Sequence, residues 1–525
     1  MQTYGRLWHR LLNPSCPNLR LAPSLRQPSG DWLNFPIRQK SMLGNDTFQF
    51  LNVVRNACCA DDWNDPQKEK LWLYNLHYFD DLNAVGAENR VEWHRALIAR
   101  WIKENTPGVG NGWEPYPTSL RIVNWIKWAL NGNILEATWI HSLAVQVRWL
   151  RRHIEWHLLG NHLFANAKTL VFAGLFFEGE EADEWLEKGL EILKREVSEQ
   201  ILEDGGHFEL SPMYHAIILE DILDLVNATG TWPGHVPHVL VSQWREVGAR
   251  MLCWLKGLTH PDGGIAFFND AAFGIAPGYA VLEEYARRLG IDTASAKSAE
   301  ICTHFADSGY VRLERGNAVA LLDVAQIGPI YLPGHAHADT LSFELSLFGQ
   351  RVVVNSGTAQ YGLGPERLRQ RGTAAHSTVT VNGADSSEVW SGFRVARRAR
   401  PFGLEVQEGI VTCAHDGYRR LHGHPIHRRS WRLAEHSLKV VDTIEGGFHE
   451  AVARFYLHPA VEVISESKDV FLRLPEGRVV RWSTVGGTAR VVSAAWHPEF
   501  GLSVPCKCIE ILFEGREASM KFAWD

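Results

Sequence analysis

Apolar residues recur at helical spacing through the first half of the chain, from about residue 85 to 290. The apolar positions from Leu143 to Ile154, from Leu186 to Ile201 and from Leu240 to Leu255 step by three or four. Such spacing predicts amphipathic helices, because residues three and four apart lie on the same helix face. Short Gly, Pro and Asn segments separate the helices, with no strand-like alternation between them. The first half is therefore predicted to be an all-helical domain.

From about residue 308, apolar residues recur at every second position. Residues Phe343 to Leu347 alternate strictly, and Thr378 to Val381 leads into a turn at Asn382-Gly383. Further short runs follow at 438–444, 470–474 and 489–492. Many short strands separated by turn residues are typical of an antiparallel β-sandwich.

A chain of 525 residues is longer than one hydrophobic core usually supports, so at least two domains are expected. We predict an N-terminal extension (1–84) packed on a helical domain (85–300), followed by a β domain (301–525). The change of period places the boundary between Ile291 and Asp307.

Composition excludes some classes of function. The 53 Lys and Arg residues against 60 Asp and Glu give a net charge of −7, with no long basic run, which argues against a nucleic-acid-binding protein. A locally basic cleft could still bind a polyanion. No run of about 18 apolar residues suggests a membrane span, and no apolar leader is seen, so we expect a cytoplasmic protein. The 21 tryptophans suit sugar stacking, although most single tryptophans serve as core.

Two polar segments in the helical half are candidates for chemistry. Asn161 and His162 follow Gly160, where one helix stripe ends and another begins, so Asn161 is either a helix N-cap or a functional amide. Ser211-Pro212 is a helix-start signal that places Tyr214 in the first turn, where the helix dipole favours the phenolate. The alternative is that Tyr214 is a core residue.

A third segment precedes the strand predicted at 341–347. His335, His337 and Asp339 alternate, so in extended backbone they would point to the same side. His-x-His is a frequent metal-ligand spacing, and a histidine is also a common general base. His376, at the start of the next predicted strand, is a candidate third partner.

Amide, imidazole and phenol together suit β-elimination from a uronic acid. The reaction requires a group that blunts the carboxylate charge, a base for the C5 proton and an acid for the leaving oxygen.

These motifs, in this order, resemble the heparinase II/III and oligoalginate lyase family over about residues 70 to 460. The Tyr214 segment and the His-x-His-x-Asp block are the most specific. The motifs are Gly160-Asn161-His162, Gly205–His215, Phe268-Asn269-Asp270, Asp307–Tyr310 and His335–Glu344.

The resemblance implies an incomplete (α/α) toroid followed by an antiparallel β-sandwich, with the active site in the cleft between them. It implies that Asn161 and His162 neutralise the uronate carboxylate, and that Tyr214 and His335 act as acid and base. It also implies further substrate contacts. The residues expected to make them are Arg121, Glu209, His215 and Asn269.

Some members of that family hold a structural zinc near this cleft. The corresponding residues here are His337, Asn355 and His376. Asn355 stands where a carboxylate is expected, and an amide oxygen is a poorer zinc ligand, so occupancy of the site stays open.

The resemblance leaves the setting and two other functions open. Because some family members are exported, a periplasmic location is the alternative. Chains of this type in which no leader is seen resemble family members associated with bacterial surface polysaccharides. The expected partner is an acidic polysaccharide. The first alternative function is a glycoside hydrolase that uses Glu209 and Asp270 as its paired carboxylates. The second is a non-catalytic polysaccharide-binding component of surface-polysaccharide biosynthesis.

Overall fold

The computed structural model of the protein describes residues 17–292, 301–466 and 469–525. The chain divides into two compact units. The first comprises Met1–Gln200, Ile218–Ala249 and Val281–Asp292, and the second comprises Ile201–Ile217, Arg250–Ala280 and Thr293–Asp525. The predicted boundary includes residues 293–300, which lie outside the described residues. The second unit thus includes two segments of the helical half that the periodicity assigned to the first.

The helical half contains the amphipathic helices that the spacing predicted, and one short helix lies among the strands. The helices are α1 (Lys70–Tyr78), α2 (Val91–Glu104), α3 (Pro115–Leu130), α4 (Ala137–Arg152), α5 (Gly160–Phe176), α6 (Glu180–Gln200), α7 (Pro212–Thr231), α8 (His238–Gly257), α9 (Tyr279–Arg288) and α10 (Pro365–Arg371). Within the described residues, no helix is both long and apolar enough to cross a lipid bilayer.

Helices α5 and α6 of the first unit pack closely because glycines lie at their contact. A Cβ on Gly189 of α6 would lie 2.8 Å from the backbone nitrogen of Val171 and 2.9 Å from the carbonyl oxygen of Ala167. A Cβ on Gly174 of α5 would lie 2.5 Å from the backbone nitrogen of Leu186. Only glycine permits this backbone approach.

A buried ionic network joins α3, α5 and the part of α7 that belongs to the first unit. Lys168 on α5 donates to Asp221 at 2.6 Å and to Asp224 at 2.7 Å, both on α7. Lys127 on α3 also reaches Asp224, at 3.0 Å. Burial disfavours the charge on Asp224, but the two ammonium groups outweigh it and hold the pKa of this carboxyl below its usual value. The network therefore fixes α3, α5 and α7 relative to one another.

The strands form the β-rich second unit, apart from one hairpin near the N-terminus. They are β1 (Thr47–Phe50), β2 (Val53–Asn56), β3 (Cys302–Phe305), β4 (Tyr310–Arg315), β5 (Ala318–Asp323), β6 (Phe343–Leu347), β7 (Gln350–Val354), β8 (Val379–Val381), β9 (Glu388–Trp390), β10 (Arg394–Ala396), β11 (Pro401–Gln407), β12 (Ile410–His415), β13 (Ile426–Ala434), β14 (Ser437–Glu445), β15 (Ala451–Leu457), β16 (Glu462–Glu466), β17 (Asp469–Arg473), β18 (Val479–Val485), β19 (Gly487–Trp496), β20 (Val504–Phe513) and β21 (Glu517–Trp524).

Two antiparallel sheets enclose the core of the second unit. One has the order β11-β12-β13-β14-β21-β18-β17-β16, and the other has the order β19-β20-β15-β7-β6-β5-β4-β3, with β8 beside β15. Alternate residues of β13 and β14 are buried, and most of their outward neighbours are polar. The hydrophobic core between the sheets includes Trp431, Val440, Phe455 and Phe522.

The strand that follows the histidine block starts later than predicted. It begins at Phe343 and not at Leu341, because Leu341 has a φ of 61° and the Ser342 N–H donates to the Asp339 carbonyl at 2.8 Å. Residues His335 to Asp339 belong to no strand, so the regular alternation of a strand does not decide where their side chains point.

We predict that Gly189→Ala lowers the free energy of unfolding by about 1–3 kcal/mol, because the added methyl group would meet backbone atoms of α5 that must shift. The matched control is Gly230→Ala on α7, where nothing lies within 4 Å of the added Cβ. Urea unfolding of both variants checks this. Equal stability of the two would contradict the close contact.

Candidate active site

The Asn161 segment lies in the first unit, at the start of α5. The helix begins at Gly160, and its N-cap is Leu159, with a φ of 60°. Asn161 is therefore in the first turn, and the capping alternative does not hold. Its buried amide is hydrogen-bonded to the Tyr116 hydroxyl. The His162 ring contacts Tyr116 with ring centroids 4.4 Å apart and the planes tilted by 34°, and its Nδ1 lies 3.0 Å from Glu155 Oε1.

Arg121 lies in the interior of the first unit. Its Nε donates to Gln146 Oε1 at 2.9 Å, and its guanidinium lies over the Trp101 ring at 3.8 Å. The side chain is fully buried, and burial holds its pKa well below the usual value. The structure thus gives Arg121 internal partners. Its predicted substrate contact stays a prediction.

Tyr214 lies in the second unit, two residues after the start of α7. Ser211 Oγ accepts the Tyr214 backbone N–H at 3.2 Å, which is the capping bond that the Ser-Pro signal predicted. The Tyr214 ring stacks on His335 with centroids 3.8 Å apart. Its hydroxyl lies 3.0 Å from the hydroxyl of Tyr361. The structure therefore brings a phenol and an imidazole from distant parts of the chain into contact.

One buried carboxylate, Asp270, organises both histidines of the block. Its Oδ2 lies 3.0 Å from His335 Nδ1, and its Oδ1 lies 2.8 Å from His337 Nε2. Arg367 binds both carboxylate oxygens, with Nη2 2.7 Å from Oδ2. Burial opposes ionisation of Asp270, but the guanidinium and the two imidazoles outweigh it and hold the pKa well below the usual value.

An ionised Asp270 fixes the tautomers of both histidines. A carboxylate only accepts hydrogen bonds, so His335 must carry a proton on Nδ1 and His337 must carry one on Nε2. A neutral His335 then has its lone pair on Nε2, which lies 3.6 Å from Glu209 Oε2. This is the arrangement of a carboxylate-oriented general base.

Two other predicted contacts are engaged within the second unit. The Asn269 amide donates to the Leu210 carbonyl at 2.8 Å and accepts the His337 backbone N–H at 3.0 Å, so it ties the Tyr214 segment to the histidine loop. His215 Nε2 donates to the Met251 carbonyl at 2.9 Å, and burial lowers its pKa to about 3. Both side chains are buried.

Three residues of the second unit have the donor set of a metal site. Ligand atoms of His337, Asp339 and His376 all lie within 4.8 Å of one another. His337 Nδ1, the nitrogen that lacks the proton, is 3.2 Å from His376 Nε2. The predicted ligand Asn355 accepts the Ser377 backbone N–H through Oδ1 at 2.9 Å. Asp339 thus supplies a carboxylate that sequence reasoning did not assign to this set.

Arg367, Tyr361 and Phe393 were missed from the sequence. Arg367 lies on α10 and also donates to the Gly392 carbonyl at 3.2 Å, in the turn between β9 and β10. Phe393, in that turn, is 42% exposed and lies edge-on to His335 at 6.0 Å. The only local signal was Gly364-Pro365, which starts α10 but gives no hint of what its arginines bind.

Comparison with known proteins identifies both halves of the chain. Residues 90–286 match the family model "Heparinase II/III N-terminus", and residues 299–525 match "Heparinase II/III-like, C-terminal". The heparin-sulfate lyase of Bacteroides stercoris is 26% identical over 337 residues, which cover 59% of this chain and 47% of that protein. The heparin-sulfate lyase of Pedobacter heparinus is 24% identical over 269 residues, 46% of this chain and 39% of that protein. The chain therefore spans less than half the length of these relatives.

Solved structures share the fold. Heparinase III superimposes with a TM-score of 0.69 at 17% identity, over 90% of this chain and 79% of the other. The heparan sulfate lyase of Pedobacter heparinus gives 0.60 at 17% identity, over 100% of this chain and 88% of the other. The predicted fold class, an incomplete (α/α) toroid followed by an antiparallel β-sandwich, is confirmed.

We predict that Arg367→Leu lowers the free energy of unfolding by about 3–5 kcal/mol, because it leaves the buried Asp270 carboxylate without its cation. Adding Asp270→Asn should recover part of the loss. The matched control, Arg287→Leu on α9, removes a solvent-exposed pair with Glu284 and should cost less than about 1 kcal/mol. Guanidinium unfolding of the four proteins checks this, and a small effect of Arg367→Leu would refute it.

Proposed function

The chain belongs to the heparinase II/III family, and we propose that it is a polysaccharide lyase that cleaves a uronic-acid-containing acidic polysaccharide by β-elimination. The observation that carries the proposal is the stacked pair of Tyr214 and His335, with His335 oriented by Asp270. An acid and a base in contact suit a reaction that removes one proton and delivers another on neighbouring atoms.

In the proposed reaction, His335 Nε2 takes the proton from C5 of the uronate. The electron pair of the broken C–H bond forms the C4–C5 double bond, and the bond from C4 to the glycosidic oxygen breaks. The Tyr214 hydroxyl gives its proton to that leaving oxygen, which becomes the hydroxyl of the second product. Tyr361, 3.0 Å from the Tyr214 hydroxyl, is positioned to return a proton to it.

The family resemblance suggests roles for two residues of the first unit. Asn161 is proposed to blunt the charge of the uronate carboxylate, with help from His162, so that the C5 proton becomes acidic. An amide suits this role because it donates hydrogen bonds and carries no charge to titrate. The half-exposed Phe393 ring is proposed to contact a sugar ring next to His335.

The state of Asp270 favours elimination over hydrolysis. A hydrolase that paired Glu209 with Asp270 needs one of the two as a protonated acid and the other within reach of water or sugar. Asp270 is fully buried and held in its charged form by Arg367, so it serves neither need. A non-catalytic binding role remains as the second alternative, and it predicts binding without any unsaturated product.

A zinc ion is proposed for the set formed by His337, Asp339 and His376. Burial lowers the pKa of both imidazoles, which keeps them in the neutral form that a metal requires. His337 Nδ1 is available to the metal because His337 Nε2 donates its proton to Asp270. A carboxylate commonly accepts the second ring N–H of a zinc-bound histidine. When bound, zinc would hold the histidine loop in place, as a structural site does.

We predict that Tyr214→Phe lowers turnover by about 10²–10⁴-fold without loss of folding, because it removes only the phenolic proton donor. The assay is ultraviolet detection of the new double bond with heparan sulfate, heparin, hyaluronan, alginate and bacterial surface polysaccharide as substrates. The matched control is Tyr418→Phe, which removes a buried hydroxyl bound to the Val379 carbonyl and should keep turnover. Normal turnover by Tyr214→Phe would exclude the mechanism.

We predict that zinc-loaded, dialysed protein retains one zinc per chain, measured by elemental analysis, and that zinc raises its thermal unfolding temperature. His376→Ala and Asp339→Asn should each lose the ion, and the exposed control His436→Ala should retain it. Asn355→Ala separates the two candidate sets: retained zinc supports Asp339 as the third ligand, and lost zinc supports Asn355. Wild-type protein without zinc after loading would contradict the proposal.

A further inference from the structure

A row of three cations crosses the outer face of the eight-stranded sheet in the second unit. Arg432 on β13 lies directly opposite Lys439 on β14, and Lys439 lies directly opposite Lys521 on β21. The row continues to Ser483 on β18. All three basic side chains are exposed. We call Arg432, Lys439 and Lys521 the basic row.

The basic row lacks counter-charges of its own. Other arginines on this face are paired, Arg428 with Glu445 at 3.2 Å and Arg481 with Asp525 at 3.7 Å. Over the part of the chain that the structure describes, no acidic side chain lies within ion-pair distance of Arg432, Lys439 or Lys521. Like charges directly opposite one another on neighbouring strands destabilise a sheet. Folding alone gives no reason to keep three of them in register, whereas an anionic ligand does.

Most of the residues beside the basic row are small, and they leave room for a ligand. In register on one side lie Ser430, Val441 and Ser519, and on the other side lie Ala434 and Ser437. The result is a surface depression of about 310 Å³. It is lined by Arg432, Ala434, Ser437, Lys439, Ser483, Val485, Ser519 and Lys521. Hydroxyl groups on its floor can bind sugar hydroxyls, and the cations at its centre can bind carboxylate or sulfate.

We propose that the basic row is a second binding site for the acidic polysaccharide, separate from the Tyr214 and His335 residues. The row crosses three strands spaced about 4.8 Å apart, so its cations extend over about 10 Å. A small anion meets one or two of these charges, but a linear polymer with an anionic group on successive sugars meets all three. The identity of the polymer rests on the proposed function. The position of the second site rests on the basic row alone.

A second site raises the local concentration of polymer at the enzyme without any change in the chemical step. Long chains should therefore be bound more tightly than short ones. The double variant Lys439→Ser/Lys521→Ser should raise KM for the polymer about tenfold. Its kcat, and its kinetics on a tetrasaccharide, should match those of the wild type. The matched control Lys507→Ser removes an exposed lysine from β20 of the other sheet and should change neither value.

Binding is measured separately on immobilised heparin, with Tyr214→Phe as the background so that nothing is cleaved. We expect the double variant to elute at lower salt than the background protein, and the Lys507→Ser control to elute with it. In the absence of ligand the double variant should unfold at the same temperature as the background or at a higher one, because a repulsion is removed. A lower unfolding temperature would overturn the argument from repulsion.

Coincident elution of the double variant and the background would overturn the second site, even where the wild type cleaves polymer. The converse outcome is that the wild type cleaves none of the five polymers while the double variant still loses retention on heparin. That outcome would contradict the proposed function and support the second site. Single-stranded DNA that competes as well as heparin oligosaccharides would overturn the assignment to polysaccharide and indicate a general polyanion surface.

Discussion

The candidate site depends on one buried carboxylate. Asp270 is fully buried, and it is ionised because Arg367 binds both of its oxygens and two imidazoles donate to it. An unpaired charge in such a place would cost several kcal/mol, so the four side chains form one interdependent group. The proton positions on His335 and His337 follow from the charge of Asp270 alone. The roles proposed for the two histidines, general base for His335 and metal ligand for His337, would therefore have the same electrostatic origin.

Much of the fold could be predicted because local signals and tertiary structure agree. The stripes from Leu186 to Ile201 and from Leu240 to Leu255 are helices, and Ser211-Pro212 starts α7 as expected. The tryptophans show where sequence-based prediction is limited. Trp101 and Trp125 are wholly buried and belong to the helical core, whereas Trp156 is 38% exposed. Composition counts side chains, but only packing decides which of them face solvent.

The candidate site was predicted less completely, for physical reasons. His335 and Tyr214 carry recognisable local motifs, but the partner of a buried charge is set by tertiary contacts. Arg367 is 97 residues from Asp270 along the chain and lies in a short helix with two other arginines. Nothing in the spacing distinguishes Arg367, which binds Asp270, from Arg371, which is equally buried but donates to the Ala336 carbonyl, or from the exposed Arg369. The same holds for Asp339, whose part in a metal set depends on a loop that alternation had treated as a strand.

The way in which the chain is divided between the two units has a consequence for modularity. The sandwich unit takes Ile201–Ile217 and Arg250–Ala280 from the helical half, and these segments carry Tyr214 and Asp270. A fragment cut at the boundary between the two family models would keep His335 but lose its carboxylate and its stacking partner. Such a fragment could not be grafted onto another toroid as a ready-made module. Recombination between related genes at that boundary would join His335 to the counterparts of Tyr214 and Asp270 from a different parent.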